Sequence, residues 1–187
     1  MLDDIYFMKQ ALIEAGKAAE RGEVPVGAVV VCKERIIARA HNLTETLNDV
    51  TAHAEMQAIT AAANVLGGKY LNECTLYVTV EPCVMCAGAI AWAQTGKLVF
   101  GAEDEKRGYQ KYAGSALHPK TVVVKGVMAD ECATLMKEFF AAKRKSKQYP
   151  VLFDFLKIYI FTIVLGEYFF MSFLRNILGI YFLFIII

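Results

Sequence analysis

The chain has 187 residues, enough for one globular core of ordinary size and short of two comfortable ones. Its 56% hydrophobic content and mean hydropathy of +0.38 exceed the soluble norm while its 21% charged residues do not, and the excess is local: 28 of the last 37 residues are apolar, against about half of the first 150. With 20 Lys and Arg against 19 Asp and Glu, no global basic excess advertises nucleic-acid binding, which leaves a local patch as the only electrostatic route to it.

Residues 3 to 21 read as an amphipathic helix, with Ile5, Met8, Leu12 and Ala15 at helical spacing, Asp3 and Asp4 at the positive end and Gly22 as the stop. A hairpin follows: Val24 to Cys32, a turn at Lys33-Glu34-Arg35, and a return over Ile36 to His41, with Pro25 and Gly27 marking an edge or a close backbone approach. Thr51 is placed to cap a helix over residues 52 to 65 that closes on Gly67-Gly68. Thr75 to Val80 is a short β-rich run, Pro82 begins a helix reaching Gln94, and Leu98 to Gly101 is a buried strand. Residues 102 to 119 carry turn signals without a period and read as a surface loop; strand Thr121 to Val127 and a helix over 129 to 147 complete the domain. The alternation of strand and helix predicts a layered α/β domain with helices on both faces of one sheet.

Five cysteines, at 32, 74, 83, 86 and 132, make an odd count with one tight pair, a pattern suited to metal or catalytic use in a reducing compartment. The opening Met1-Leu2-Asp3-Asp4 lacks the basic start of a signal peptide, so the expected location is cytoplasmic. Cys32 and Cys132 read as small core residues. Cys74 is the one other sulfur near enough in sequence to complete a closed, structural metal site.

The chemistry concentrates in His53-Ala54-Glu55 and, after 26 intervening residues, Pro82-Cys83-Val84-Met85-Cys86. One imidazole and two thiolates suit zinc, and a helix N-terminus at the Cys-x-x-Cys pair favours the thiolate form. Three protein ligands leave a fourth position open to water, the mark of a catalytic site. Glu55, two positions after His53 in the first helical turn, is placed to move protons without ligating the ion. H-x-E with a downstream P-C-x-x-C is the zinc-deaminase signature.

Beyond that signature, residues 1 to 148 resemble the bacterial tRNA-specific adenosine deaminases. The resemblance runs through Glu23-Val24-Pro25-Val26-Gly27-Ala28, His41-Asn42, Asn48 to Met56, Val99-Phe100-Gly101-Ala102 and Glu138-Phe139-Phe140. It implies a three-layer α/β/α cytidine-deaminase-like fold with a mixed central sheet, a homodimer with active sites near the interface, and one zinc ion per subunit on His53, Cys83 and Cys86. The implied activity is hydrolytic conversion of the wobble adenosine in a tRNA anticodon loop, an arginine tRNA foremost, to inosine, with Glu55 as proton shuttle. Asn42 would hydrogen-bond the flipped base or its ribose. Asp104 and Lys106 would contact flanking nucleotides, and Phe140 and Arg144 on the last helix would stack a base and grip phosphate. On residue type alone, Asp104 and Lys106 are solvated loop charges, and the basic helix end complements a helix dipole.

Two other functions compete: a zinc deaminase of a free base or nucleotide of guanine or cytosine type, and a catalytically silent RNA-binding or zinc-stabilised module. The domain reading is 1 to 150 for the deaminase and 151 to 187 for a hydrophobic extension with no counterpart in the resemblance. A membrane anchor there would have to carry Glu167 or Arg175 in or near the bilayer. The preferred reading is a read-through or frameshift tail, because Phe, Ile, Leu and Tyr make up 25 of its 37 residues.

Overall fold

The first helix is set at both ends by its own sequence. The computed structural model describes residues 3–148; in it α1 (Asp4–Glu20) starts where the Asp3 carboxylate accepts the Tyr6 N–H at 2.8 Å. It stops at Gly22, φ +74°, where the N–H groups of Gly22 and Glu23 return to the carbonyls of Ala19 and Ala18 in a Schellman closure.

The hairpin pairs β1 (Gly27–Cys32) with β2 (Arg35–His41) across Lys33-Glu34, both at positive φ, a two-residue turn of type I′ built without glycine. β1 begins three residues later than its valines suggest, because Pro25 has no N–H and the Val26 N–H turns back to the Val24 carbonyl at 2.8 Å. Gly27 marks a close approach rather than an edge: β1 is interior to the sheet, and a Cβ at Gly27 would strike the Ala11 carbonyl and Ala15 N of α1.

α2 (Ala54–Leu66) is capped by His53, not by Thr51. Thr51 turns its N–H and hydroxyl to the Asp49 carboxylate, each at 2.8 Å, and so starts the turn before the helix. The remaining elements are β3 (Cys74–Val80), α3 (Val84–Trp92), β4 (Lys97–Ala102), α4 (Tyr109–Ala113), β5 (Val122–Lys125) and α5 (Ala129–Gln148). The short α4 interrupts the stretch that reads as loop; five residues are too few to show a period.

The five strands form one mixed sheet in the order β2-β1-β3-β4-β5, with β1 antiparallel to both neighbours and β3, β4 and β5 parallel. Alternation along the strands divides the core in two. Ala28, Val30, Leu76, Val78, Leu98 and Phe100 pack with Ala54, Ala58 and Ala62 of α2 and with Ala87 and Ile90 of α3. Val29, Val31, Tyr77 and Val99 pack with Phe7, Met8 and Ala11 of α1 and with Cys132 of α5. This is the three-layer α/β/α arrangement, and the alanine face of α2 lets that helix lie close to the sheet.

The chain divides into two units after Phe140. The extension 151–187, with both readings of it, lies outside the described residues. Among the described residues no helix is long and apolar enough to cross a membrane.

Candidate active site

Two helix N-termini and the end of one strand bring the signature residues together. His53 caps α2, Cys83 caps α3 and Cys86 lies in the first turn of α3, each cap in extended backbone with no side-chain capping bond. The imidazole and thiol are therefore free of local duty. His53 Nδ1 lies 3.7 Å from Cys83 Sγ and 3.5 Å from Cys86 Sγ. In a tetrahedral zinc site with Zn–N near 2.0–2.1 Å and Zn–S near 2.3 Å, nitrogen and sulfur stand about 3.6 Å apart, so the donor spacing fits that ion. Among the described residues these three form the one group of His, Cys, Asp or Glu gathered closely enough to hold a metal.

Charge supports the same reading. Cys86, ahead of His53, holds the Cys83 thiol down to about 4 against the opposing effect of burial. Cys83 and burial push the Cys86 thiol strongly up. Without an ion the pair thus shares one proton, which a cation bound by both sulfurs would displace. His53 is raised above the ordinary imidazole range by Cys83, with burial opposing and Glu55 assisting.

Glu55 is 3% exposed in the first turn of α2, and burial pushes its carboxyl above the ordinary glutamate range, against the helix N–H and His53, which pull it down. A carboxyl held so is protonated more readily than an exposed one, which suits a group that must both take and give a proton.

Asn42 ends the hairpin and is buried. The Leu43 N–H reaches the Ala52 carbonyl at 3.0 Å and the Gln57 amide donates to the carbonyls of His41 and Ala52, which closes the 42–53 excursion beside His53. The Asn42 Nδ2 is already committed, donating to Glu23 Oε2 at 3.1 Å and Thr44 Oγ1 at 3.0 Å. The amide cannot be flipped, because the Glu23 carboxylate only accepts. The atom Asn42 can offer a substrate is Oδ1, an acceptor.

Two acids in this framework have no role assigned to them by the sequence motifs. Glu23 is fully buried and receives Asn42, the Thr44 hydroxyl and the N–H groups of Glu45 and Thr46, the last at 2.7 Å. Burial raises its carboxyl, but Thr46, Glu45 and Thr44 outweigh that and hold it below the ordinary range. Glu81, next to Pro82, accepts the N–H of Asp104 at 3.1 Å and of Gln110 at 3.0 Å. Tyr109 N–H donates to the Pro82 carbonyl, and Gly108 pairs with Cys83, so the 103–113 segment is fastened to the Pro82-Cys83 loop. A Cβ at Gly108 would overlap the Glu81 carboxylate. An acid inside the apolar run Leu76 to Pro82 was the available clue.

The remaining predicted residues are dispersed. Asp104 Oδ1 accepts the N–H groups of Lys106 and Arg107 at 2.9 and 3.0 Å, so it shapes its own turn. Lys106 is exposed, and its carbonyl accepts the Tyr112 hydroxyl. Phe140 stands 40% exposed on α5 against the edge of Phe139, and Arg144 is exposed further along that helix. Cys74 lies at the opposite end of β3 from the metal loop, which removes it as a fourth sulfur; Cys132 is core.

The MafB19-like deaminase family model matches residues 2–144. The tRNA-specific adenosine deaminase of Bacillus subtilis (strain 168) is 46% identical over 153 residues, covering 79% of this chain and 95% of that one. A solved structure from a study of A-to-I editing by tRNA:A34 deaminases at the wobble position of transfer RNA superposes with a TM-score of 0.66 at 44% identity, covering 70% of this chain and 98% of that one. The guanine deaminase of Bacillus subtilis superposes with a TM-score of 0.53 at 42% identity, covering 55% of this chain and 66% of that one.

Proposed function

Because the chain belongs to the MafB19-like deaminases and, within them, to the tRNA-specific adenosine deaminase family, we propose that it hydrolyses the wobble adenosine of a tRNA anticodon, an arginine tRNA foremost, to inosine and ammonia. The observation that carries the chemistry is the His53, Cys83 and Cys86 donor set with a separate buried carboxyl, Glu55, in the same helical turn as His53.

His53 Nδ1 and the two thiolates would hold a zinc ion, whose Lewis acidity would make water a nucleophile near neutral pH. Glu55 takes one proton from water and delivers it to N1 of adenine as oxygen adds to C6, then carries the second proton, from the new C6 hydroxyl, to the departing amine. Asn42 Oδ1 accepts a hydrogen bond from the flipped nucleoside, held in place by Glu23. Lys106, Phe140 and Arg144 carry the local RNA contacts that a neutral chain needs, and Asp104 sets the turn that presents Lys106.

The protein acts as a homodimer in the cytoplasm. In support, α3 presents an uncovered apolar stripe at Val84, Met85 and Trp92, the last 85% exposed, on the helix that also carries both metal-ligating cysteines. Deamination of free guanine is the competing activity. The experiment is incubation of the zinc-loaded protein with an arginine tRNA bearing A at the wobble position, and separately with guanine. Sequencing should read the wobble A as G, with guanine unchanged; the converse would assign the site to the free base.

A further inference from the structure

Away from the metal site, two more thiols face one another. Cys32 ends β1 and Cys74 begins β3, and the antiparallel register makes them direct partners. Antiparallel partners alternate between hydrogen-bonded pairs and closer, non-hydrogen-bonded ones. Two observations put this pair in the second class. Cys32 is also the partner of Arg35 across the two-residue turn, so its N–H and carbonyl point to β2 and away from β3. The Cys74 N–H is spent on the Leu71 carbonyl at 2.9 Å.

Non-hydrogen-bonded partners have Cα atoms about 4.5 Å apart, inside the window of about 4.4–6.8 Å that a disulfide spans. Both side chains join the core on the α2 and α3 face of the sheet, so they leave the strands in the same direction. Cys32 is half-buried beside the exposed turn and Cys74 is buried, giving one thiol open to reagents and one behind it. All five cysteines are free of disulfides, and burial together with the neighbouring Cys32 pushes the Cys74 thiol up to about 12, so Cys74 rests as a thiol.

We propose that Cys32 and Cys74 form a redox-sensitive modification site that closes to a cross-strand disulfide when the protein meets a low-molecular-weight disulfide oxidant. The Cys32 thiolate attacks one sulfur of the oxidant RSSR, forming a mixed disulfide and releasing one RS⁻. Cys74 then loses its proton and attacks the Cys32 sulfur, releasing the second RS⁻. The two cysteines give up two electrons, RSSR is reduced to two RSH, and the two cysteine protons go to the released thiolates. The bond ties β1 to β3 and closes the stretch of chain that holds α2 with His53 and Glu55.

The test uses the full-length, zinc-loaded protein treated with oxidised glutathione at mildly alkaline pH, alkylated, and digested without reduction by a protease that cuts after aromatic residues and leucine. Cuts at Leu12, Leu43, Leu71 and Leu76 isolate Cys32 in residues 13–43 and Cys74 in residues 72–76, apart from Cys83 and Cys86. The expected result is that most chains yield the two peptides joined, at their summed mass less two hydrogens. The joined species should vanish with a dithiol reductant and be absent from Cys32→Ser. Cys32 recovered only as its glutathione adduct with Cys74 alkylated would overturn the proposal, as would a Cys74 crosslink that persists in Cys32→Ser. The wild-type peptide map decides the matter even if the variant folds poorly.

Discussion

Replacing Glu23 by Gln keeps the shape of a fully buried side chain and removes its charge. The carboxylate receives the Thr46 N–H on Oε1 at 2.7 Å, and Asn42 Nδ2, the Thr44 hydroxyl and the Glu45 N–H on Oε2 at 3.1, 3.3 and 3.2 Å. The least costly placement of the new amide puts nitrogen where Oε1 was, because it then opposes one donor instead of three. That placement loses one charge-assisted bond, about 1.5–3 kcal/mol, and leaves the Thr46 N–H unsatisfied at about 1–3 kcal/mol more. A net loss of about 3–5 kcal/mol corresponds to a thermal midpoint lower by roughly 10 °C. The pH dependence has a definite sign. The Glu23 carboxyl is held below its ordinary value of about 4.3, so its contribution is complete above that pH and is lost as pH falls through the lower folded-state value. Calorimetry of both proteins should therefore show a constant deficit from neutral pH to about 4.3 that narrows in stronger acid. A variant melting within about 2 °C of wild type at neutral pH, or a deficit that widens in acid, would refute the reasoning.

Gly108→Ala places a methyl in the space of the Glu81 carboxylate and should cost about 1–3 kcal/mol, with the Asp104 and Gln110 amides losing hydrogen-exchange protection. Unchanged protection would show that Glu81 does not fasten that segment. Lys106→Ala and Arg144→Ala should each make the fall of log affinity for tRNA with log salt shallower by about 0.7, as expected for lost phosphate contacts to a single-stranded loop. Slopes equal to wild type would remove these residues from the RNA surface. Removal of zinc by a chelator should expose Cys83 as a thiolate that alkylates even in mildly acidic solution, while Cys86 stays protonated. Peptide mapping that finds Cys86 alkylated first would contradict that division of charge.

The candidate metal donors and Glu55 were legible because their local spacing is fixed by the chain: two positions on one helical turn, and a Cys-x-x-Cys at another helix start. The strands were legible for a related reason, since each side chain of Val29, Val30 and Val31 must choose a face. What the sequence concealed depends on partners far along the chain. One local contest is also undecided by residue type: Asp49, two residues before Thr51, claims its N–H and hydroxyl and leaves the cap to His53. α4 exists because Glu81 and Pro82 hold its first turn, 27 or more residues away. The donors of Asn42 are spent on Glu23 and Thr44, so a role written for a free amide narrows to one acceptor atom. Cys32 and Cys74 read as unrelated until the register of β1 against β3 makes them partners.

The most direct measurement compares wild type with Glu55→Ala on one arginine tRNA carrying the wobble adenosine, with zinc per chain quantified in both. A buried carboxyl that moves protons without holding the ion predicts inosine from wild type, a rate lower by about 10²–10⁴ or more in the variant, and equal zinc. A variant that keeps its rate, or one that loses zinc in step with activity, would contradict the assignment of Glu55 and of the site built around it.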